Sequence, residues 1–238
     1  MTENEEDKIE KEIVKTCLER FGKNLATVLI FGSYNTGEFV ANQSDIDLII
    51  LFKKNNGMKF QKELDILKHR IFVDIKTSIA HFRTLSDYKK HIYHEGTWSS
   101  WITVICGSKN IYSTKEFENF RSYLEKHPIS SKILKEYLLH KDDIELEGYF
   151  KRSSGWNLTK AYFSHIRRKL QILNWLEGNE LTFDYDVCLK NIKSLVSEKK
   201  LKQLGQIYAE RIEISLQESQ GYYKLAKDLT EKIIRKLK

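Results

Sequence analysis

Apolar residues recur at Ile9, Ile13, Val14, Cys17, Leu18 and Phe21. That spacing lines one face of a helix over residues 5–21, and Gly22 ends it. The pattern then changes. LATVLIF at 25–31 and DIDLIILF at 45–52 are short apolar runs rich in branched residues, which predicts two strands. Phe60, Leu64 and Leu67 return to helical spacing over 58–69, and IFVDIKT at 71–77 alternates as a third strand would. Residues 85–106 read as mostly helical, with WSSWITVIC open to either assignment, and GSKNIYS at 107–113 reads as a turn and a short extended piece.

From Thr114 onward the periodicity is helical. The segments are about 115–126, 130–150, 153–177, 185–198 and 201–237, the last forming one long helix or two. Pro128 and Gly178–Asn179 punctuate them. The expected fold is therefore α/β (α+β): a mixed sheet with flanking helices over residues 1–113, then an all-helical bundle over 114–238.

Composition narrows the class. With 41% hydrophobic and 31% charged residues, one proline and 11 glycines, the chain reads as globular, without long disordered linkers. Its three cysteines are far apart and odd in number, as for free thiols in a reducing compartment. The acidic start MTENEEDKIEKE lacks the apolar centre of a signal peptide, and no apolar run approaches the roughly 20 residues that span a bilayer. A cytoplasmic protein without a membrane partner is the expectation. The net charge of +7 is uneven. Residues 1–114 hold 16 Lys and Arg against 15 Asp and Glu, and residues 115–238 hold 24 against 18. The second half can attract anions, but its excess is scattered lysine without a basic and aromatic track, so nucleic acid is not the expected partner.

The chemistry is concentrated in FGSYNTGEFVANQSDIDLIILF, residues 31–52. Asp45 and Asp47 sit within an apolar strand, where an unpaired carboxylate is costly. Strand alternation turns both to one face, opposite Ile46, Leu48 and Ile50. Asp74 stands in the third expected strand, on the face of Phe72 and Lys76. Three carboxylates converging from neighbouring strands would repel unless a hard dication such as Mg²⁺ took their oxygens and left room for phosphate. Two such ions about 4 Å apart stabilise the attacking and leaving oxygens of a phosphoryl transfer. Gly32–Ser33 follows the first strand, where a glycine lets backbone approach a phosphate and a serine hydroxyl can hold its oxygens.

Gly32–Ser33, eleven intervening residues, Asp45-Ile46-Asp47 and the later Asp74 resemble the signature of the DNA polymerase beta-type nucleotidyltransferases. GSYNTGEFVANQSDIDLII is most similar to the small bacterial members, antibiotic nucleotidyltransferases included. The resemblance covers residues 25–77 well and the helical half in outline. It implies transfer of a nucleoside monophosphate from an NTP, with ATP expected, to a hydroxyl acceptor. It also implies two Mg²⁺ ions, with Mn²⁺ as an alternative. Asp45 and Asp47 would ligate both ions, Asp74 the ion that activates the acceptor, and Gly32 and Ser33 would hold the triphosphate. The expected acceptor is a small antibiotic-like molecule. Alternatives are antitoxin-like adenylylation of a protein and RNA tailing. The assembly state is open between monomer and homodimer.

Other residues carry weaker signals. Some antibiotic-modifying relatives draw a general base from the helical half, where Glu147 is the candidate, with an ion pair to Lys151 as the plainer reading. Lys160, at the edge of an apolar stripe, is the candidate nucleotide contact, with Arg167, Arg168 and Lys169 in the same helix. His91 and His94 read as helix-surface residues, and Trp98, Trp101, Trp156 and Trp175 as packing residues. Arg121 and His127, five residues apart, loosely resemble a ribonuclease motif that the following Pro128 argues against.

Overall fold

A computed structural model describes residues 3–35, 45–55, 57, 59–71, 77–94, 98–127, 129–140, 147–148, 154–192 and 197–237. Contacts divide the chain into two compact units, Met1–Ile129 and Ser130–Lys238.

The first unit is built on a four-stranded sheet. Its elements are α1 (Glu3–Phe21), β1 (Leu25–Phe31), β2 (Ile46–Phe52), α2 (Phe60–Ile71), β3 (Thr77–Thr84), α3 (Leu85–His94), α4 (Trp98–Cys106), β4 (Ser108–Ser113) and α5 (Lys115–Lys126). The strand order is β3-β2-β1-β4. β1 runs antiparallel to β2 and β4, and β2 runs parallel to β3. The sheet is thus mixed, as the sequence predicts.

The two inner strands explain their own composition. Leu25–Ile30 and Leu48–Phe52 are buried throughout, because helices cover both faces of the sheet. On one face, Val28, Ile30, Ile46, Leu48, Ile50 and Phe52 form a core with Ile13, Cys17 and Phe21 of α1 and Leu67 of α2. The opposite face, carrying Leu29, Ile49 and Leu51, meets α3, α4 and α5. Burial pushes the Cys17 and Cys106 thiols up to about 12, so both stay protonated. A bidentate Arg20–Glu63 pair ties α1 to α2.

One strand differs from the sequence reading. The third strand is Thr77–Thr84, and the expected 71–77 meets it only at Thr77, while Ile71 ends α2. Residues 72–76 lie outside the described residues. β3 is an edge strand, half-buried along most of its length, so it lacks the apolar run that marks β1 and β2. WSSWITVIC is the helix α4, with Trp98 and Trp101 buried. Helix α5 packs on α4 and β1, and so belongs to the first unit, beyond the expected boundary at 113/114. Arg121 on α5 donates to the carbonyls of Ile105 near the end of α4 and Ser108 at the start of β4, and His127 stacks on Tyr123. Both are structural contacts.

The second unit is helical among its described residues: α6 (Ser131–His140), α7 (Gly155–Leu176), α8 (Tyr185–Asn191), α9 (Glu198–Ala209) and α10 (Leu216–Lys236). The last sequence segment is therefore two helices. Ser215 starts α10 with a reciprocal capping box to Glu218, and Asp184 caps α8 through the amides of Asp186 and Val187. α7 is the centre, packed by α8, α9 and α10. Its Lys169 is fully buried and donates to the Thr230 hydroxyl at 2.6 Å.

His91 is half-buried, contrary to the surface reading. Its ring lies 5.1 Å from that of His81 on β3, which also packs against Tyr88 of α3 and shares a 3.2 Å hydrogen bond with the Ser100 hydroxyl of α4. Burial, then the charge of Arg83 and the proximity of His91, push His81 down to about 4. In the unfolded chain it titrates near 6.5. Above that value the imidazole is neutral in both states. As pH falls from 6.5 towards 4, only the unfolded state takes the proton, so stability falls. At roughly 1.4 kcal/mol per unit, discounted for partial exposure, the loss is about 2 kcal/mol. Urea unfolding at pH 7 and pH 4.5 should show a smaller pH-dependent loss in His81→Gln than in the wild type, and equal losses would contradict the assignment.

Candidate active site

The site begins where β1 ends. At Gly32 the backbone turns with φ of +74°, a conformation that L side chains rarely adopt. A Cβ here would overlap Oδ2 of Asp47, so the carboxylate lies directly against the glycine backbone. Gly32–Tyr34 form one 3₁₀ turn, closed by the Asn35 amide donating to the Gly32 carbonyl at 3.1 Å.

Two anchors hold it. Tyr34 is buried in the α1 side of the core, its hydroxyl 3.4 Å from the Glu6 carbonyl, and burial together with Glu10, Glu6 and Asp7 raises its pKa. The Asn35 side chain donates to the Gly107 carbonyl at 3.3 Å, at the junction of α4 and β4. Ser33 sits between these anchors, half-buried.

The carboxylates stand on the neighbouring strand. Asp45 immediately precedes β2, and Asp47 is its second residue, paired with Phe31. Both are half-buried, while Ile46 and Leu48 are fully buried. The alternation predicted from sequence thus puts Asp45 and Asp47 on one face, beside the Gly32 turn. On the other side of β2, Asp47 pairs with Ser78 of β3.

The remaining expected residues fall elsewhere. Asp74 lies outside the described residues. Lys160 is exposed on α7 and Glu147 is exposed in a helical turn at 147–148, both in the second unit. The expected Glu147–Lys151 pair involves a residue outside the described set. Of the other cations on α7, Lys169 is closed inside the core, Arg167 lies over the rings of Phe163 and Phe183, and Arg168 donates to the Ser164 carbonyl.

Among the described residues no group of three or more His, Cys, Asp or Glu side chains is arranged to hold a metal ion. The pair of carboxylates still fits one. Mg²⁺ is commonly held by one or two carboxylates, with substrate phosphates and waters filling its shell. The glycine turn keeps backbone, rather than a side chain, next to Asp47.

The family comparison agrees with this geometry. Residues 10–178, well over half of the chain, match the nucleotidyltransferase domain family. The chain belongs to that family. Among solved structures, the spectinomycin adenyltransferase AAD(9) from Enterococcus faecialis, crystallised with ATP and spectinomycin, matches with a TM-score of 0.56. The match covers 94% of this chain and 98% of that one at 14% identity, so it speaks for a shared fold. No curated protein matches this chain. Among the described residues, no helix of this nucleotidyltransferase is long and apolar enough to cross a membrane.

The close contact at Gly32 makes a direct prediction. Gly32→Ala adds a methyl where Asp47 Oδ2 lies, at a left-handed backbone position costing an L residue roughly 1–2 kcal/mol. Isothermal titration with an NTP and Mg²⁺ should show affinity reduced at least about tenfold. Unchanged affinity would separate the turn from nucleotide binding.

Proposed function

We propose that this nucleotidyltransferase moves a nucleoside monophosphate from an NTP, with ATP the expected donor, onto a hydroxyl of a small antibiotic-like molecule. The observation that carries the reading is Asp47 against the Gly32 backbone, with Asp45 two residues before it, in a chain of the nucleotidyltransferase family. The solved structure of similar fold was crystallised with ATP and spectinomycin, which supports an NTP donor and a small-molecule acceptor here.

In the proposed reaction the acceptor hydroxyl oxygen attacks the α-phosphorus of the NTP. A bond forms between that oxygen and phosphorus, the α–β phosphoanhydride bond breaks, and pyrophosphate leaves. The hydroxyl proton passes to a base, a role proposed for Asp74. Gly32 and Ser33 hold phosphate oxygens through backbone and hydroxyl. Asp45 and Asp47 would hold two Mg²⁺ ions, which when bound would supply electrostatic stabilisation of the developing charge. Asp74 is proposed as a ligand on the acceptor side.

Transfer should require Mg²⁺ or Mn²⁺. Asp45→Asn and Asp47→Asn should each lower turnover by at least roughly a hundredfold, since charge stabilisation worth several kcal/mol is lost. Asp74→Asn should keep NTP affinity and lose transfer, because its role is on the acceptor side. Titrations of Mg²⁺–NTP set beside transfer rates with spectinomycin and a panel of other antibiotics make the comparison. Near-normal turnover in Asp47→Asn would remove the basis of the reading.

A further inference from the structure

Register places one more polar residue at the carboxylates. β3 runs parallel to β2, and Ser78 is the residue paired with Asp47. Partners in a parallel ladder leave the sheet on the same face, and neighbouring strands lie about 4.8 Å apart. The next pair fixes the face: Ile79, paired with Leu48, packs on the α1 core, so Ser78 and Asp47 lie on the opposite side of the sheet. Ser78 is half-buried, and among the described residues its hydroxyl makes no hydrogen bond.

Resting on the nucleotidyl-transfer reading above, we infer that Ser78 is a positioning residue of the active site, its hydroxyl hydrogen-bonding an oxygen ligand of the divalent ion held by Asp47. The Ser78 backbone lies about one strand spacing from that of Asp47, which lets a half-buried hydroxyl on the same face meet the outer part of the shell of an ion bound there. A serine there orients a water or hydroxyl oxygen without adding negative charge, whereas a carboxylate at the same place would itself reach the ion.

The two replacements therefore act in opposite directions, which a merely structural role would not produce. The experiment measures Mn²⁺ binding by electron paramagnetic resonance of the free ion, with full-length protein saturated with α,β-methylene-ATP. Ser78→Ala should weaken Mn²⁺ binding about tenfold, the lower end of the roughly 10–100-fold loss typical of an outer-shell partner, and Ser78→Asp should strengthen it about tenfold, with thermal midpoints close to wild type. Asp47→Asn serves as the reference. If it weakens Mn²⁺ at least tenfold while both Ser78 variants bind as wild type, the inference about Ser78 is overturned and the parent reading stands. If Asp47→Asn itself binds Mn²⁺ as wild type does, the parent reading fails and the role of Ser78 fails with it.

Discussion

The first unit depends on a conflict within one strand. β2 is the second of four strands, paired on both sides and covered on both faces, so Leu48–Phe52 must be apolar. At its start stand Asp45, just before the strand, and Asp47, its second residue, whose charge cannot enter that interior. The conflict is resolved by position. The carboxylates stand at the open end of the strand, half-buried, where the chain of β1 turns away at Gly32. The buried length of β2 then fixes where they stand, since a slip of one residue would turn both aspartates into the α1 core. Rigid placement of charge by a packed strand is what a site acting through electrostatics requires.

The surrounding elements hold the glycine turn against that strand end. Tyr34 anchors it to α1, and Asn35 anchors it to the junction of α4 and β4. Gly32 lets its backbone lie where any side chain would displace Asp47. Separated parts of the sequence thus meet at one corner of the sheet.

Much of this is legible from residues alone. β1 and β2 stand out as apolar runs, and the Asp45/Asp47 alternation and the glycine–serine turn follow from strand geometry. What escapes the sequence has physical reasons. β3 is a half-buried edge strand whose Thr, Ser, His and Arg residues hide its period, while IFVDIKT before it alternates more cleanly. Ser78 has no signal of its own, because its meaning comes from pairing with Asp47 in a parallel ladder. Lys169 reads as a surface cation by composition, yet α7 is the central helix of its unit and buries it beside Thr230. His91 likewise owes its burial to His81, a distant residue in sequence.

The proposed function puts the reaction at the α-phosphorus of a nucleotide. Two parallel reactions with spectinomycin and the antibiotic panel, one with α-³²P-ATP and one with γ-³²P-ATP, test it most directly. The account predicts that the α label moves onto the acceptor and the γ label appears in pyrophosphate, both requiring a divalent ion. Transfer of the γ label to the acceptor, or its release as inorganic phosphate alone, would contradict it.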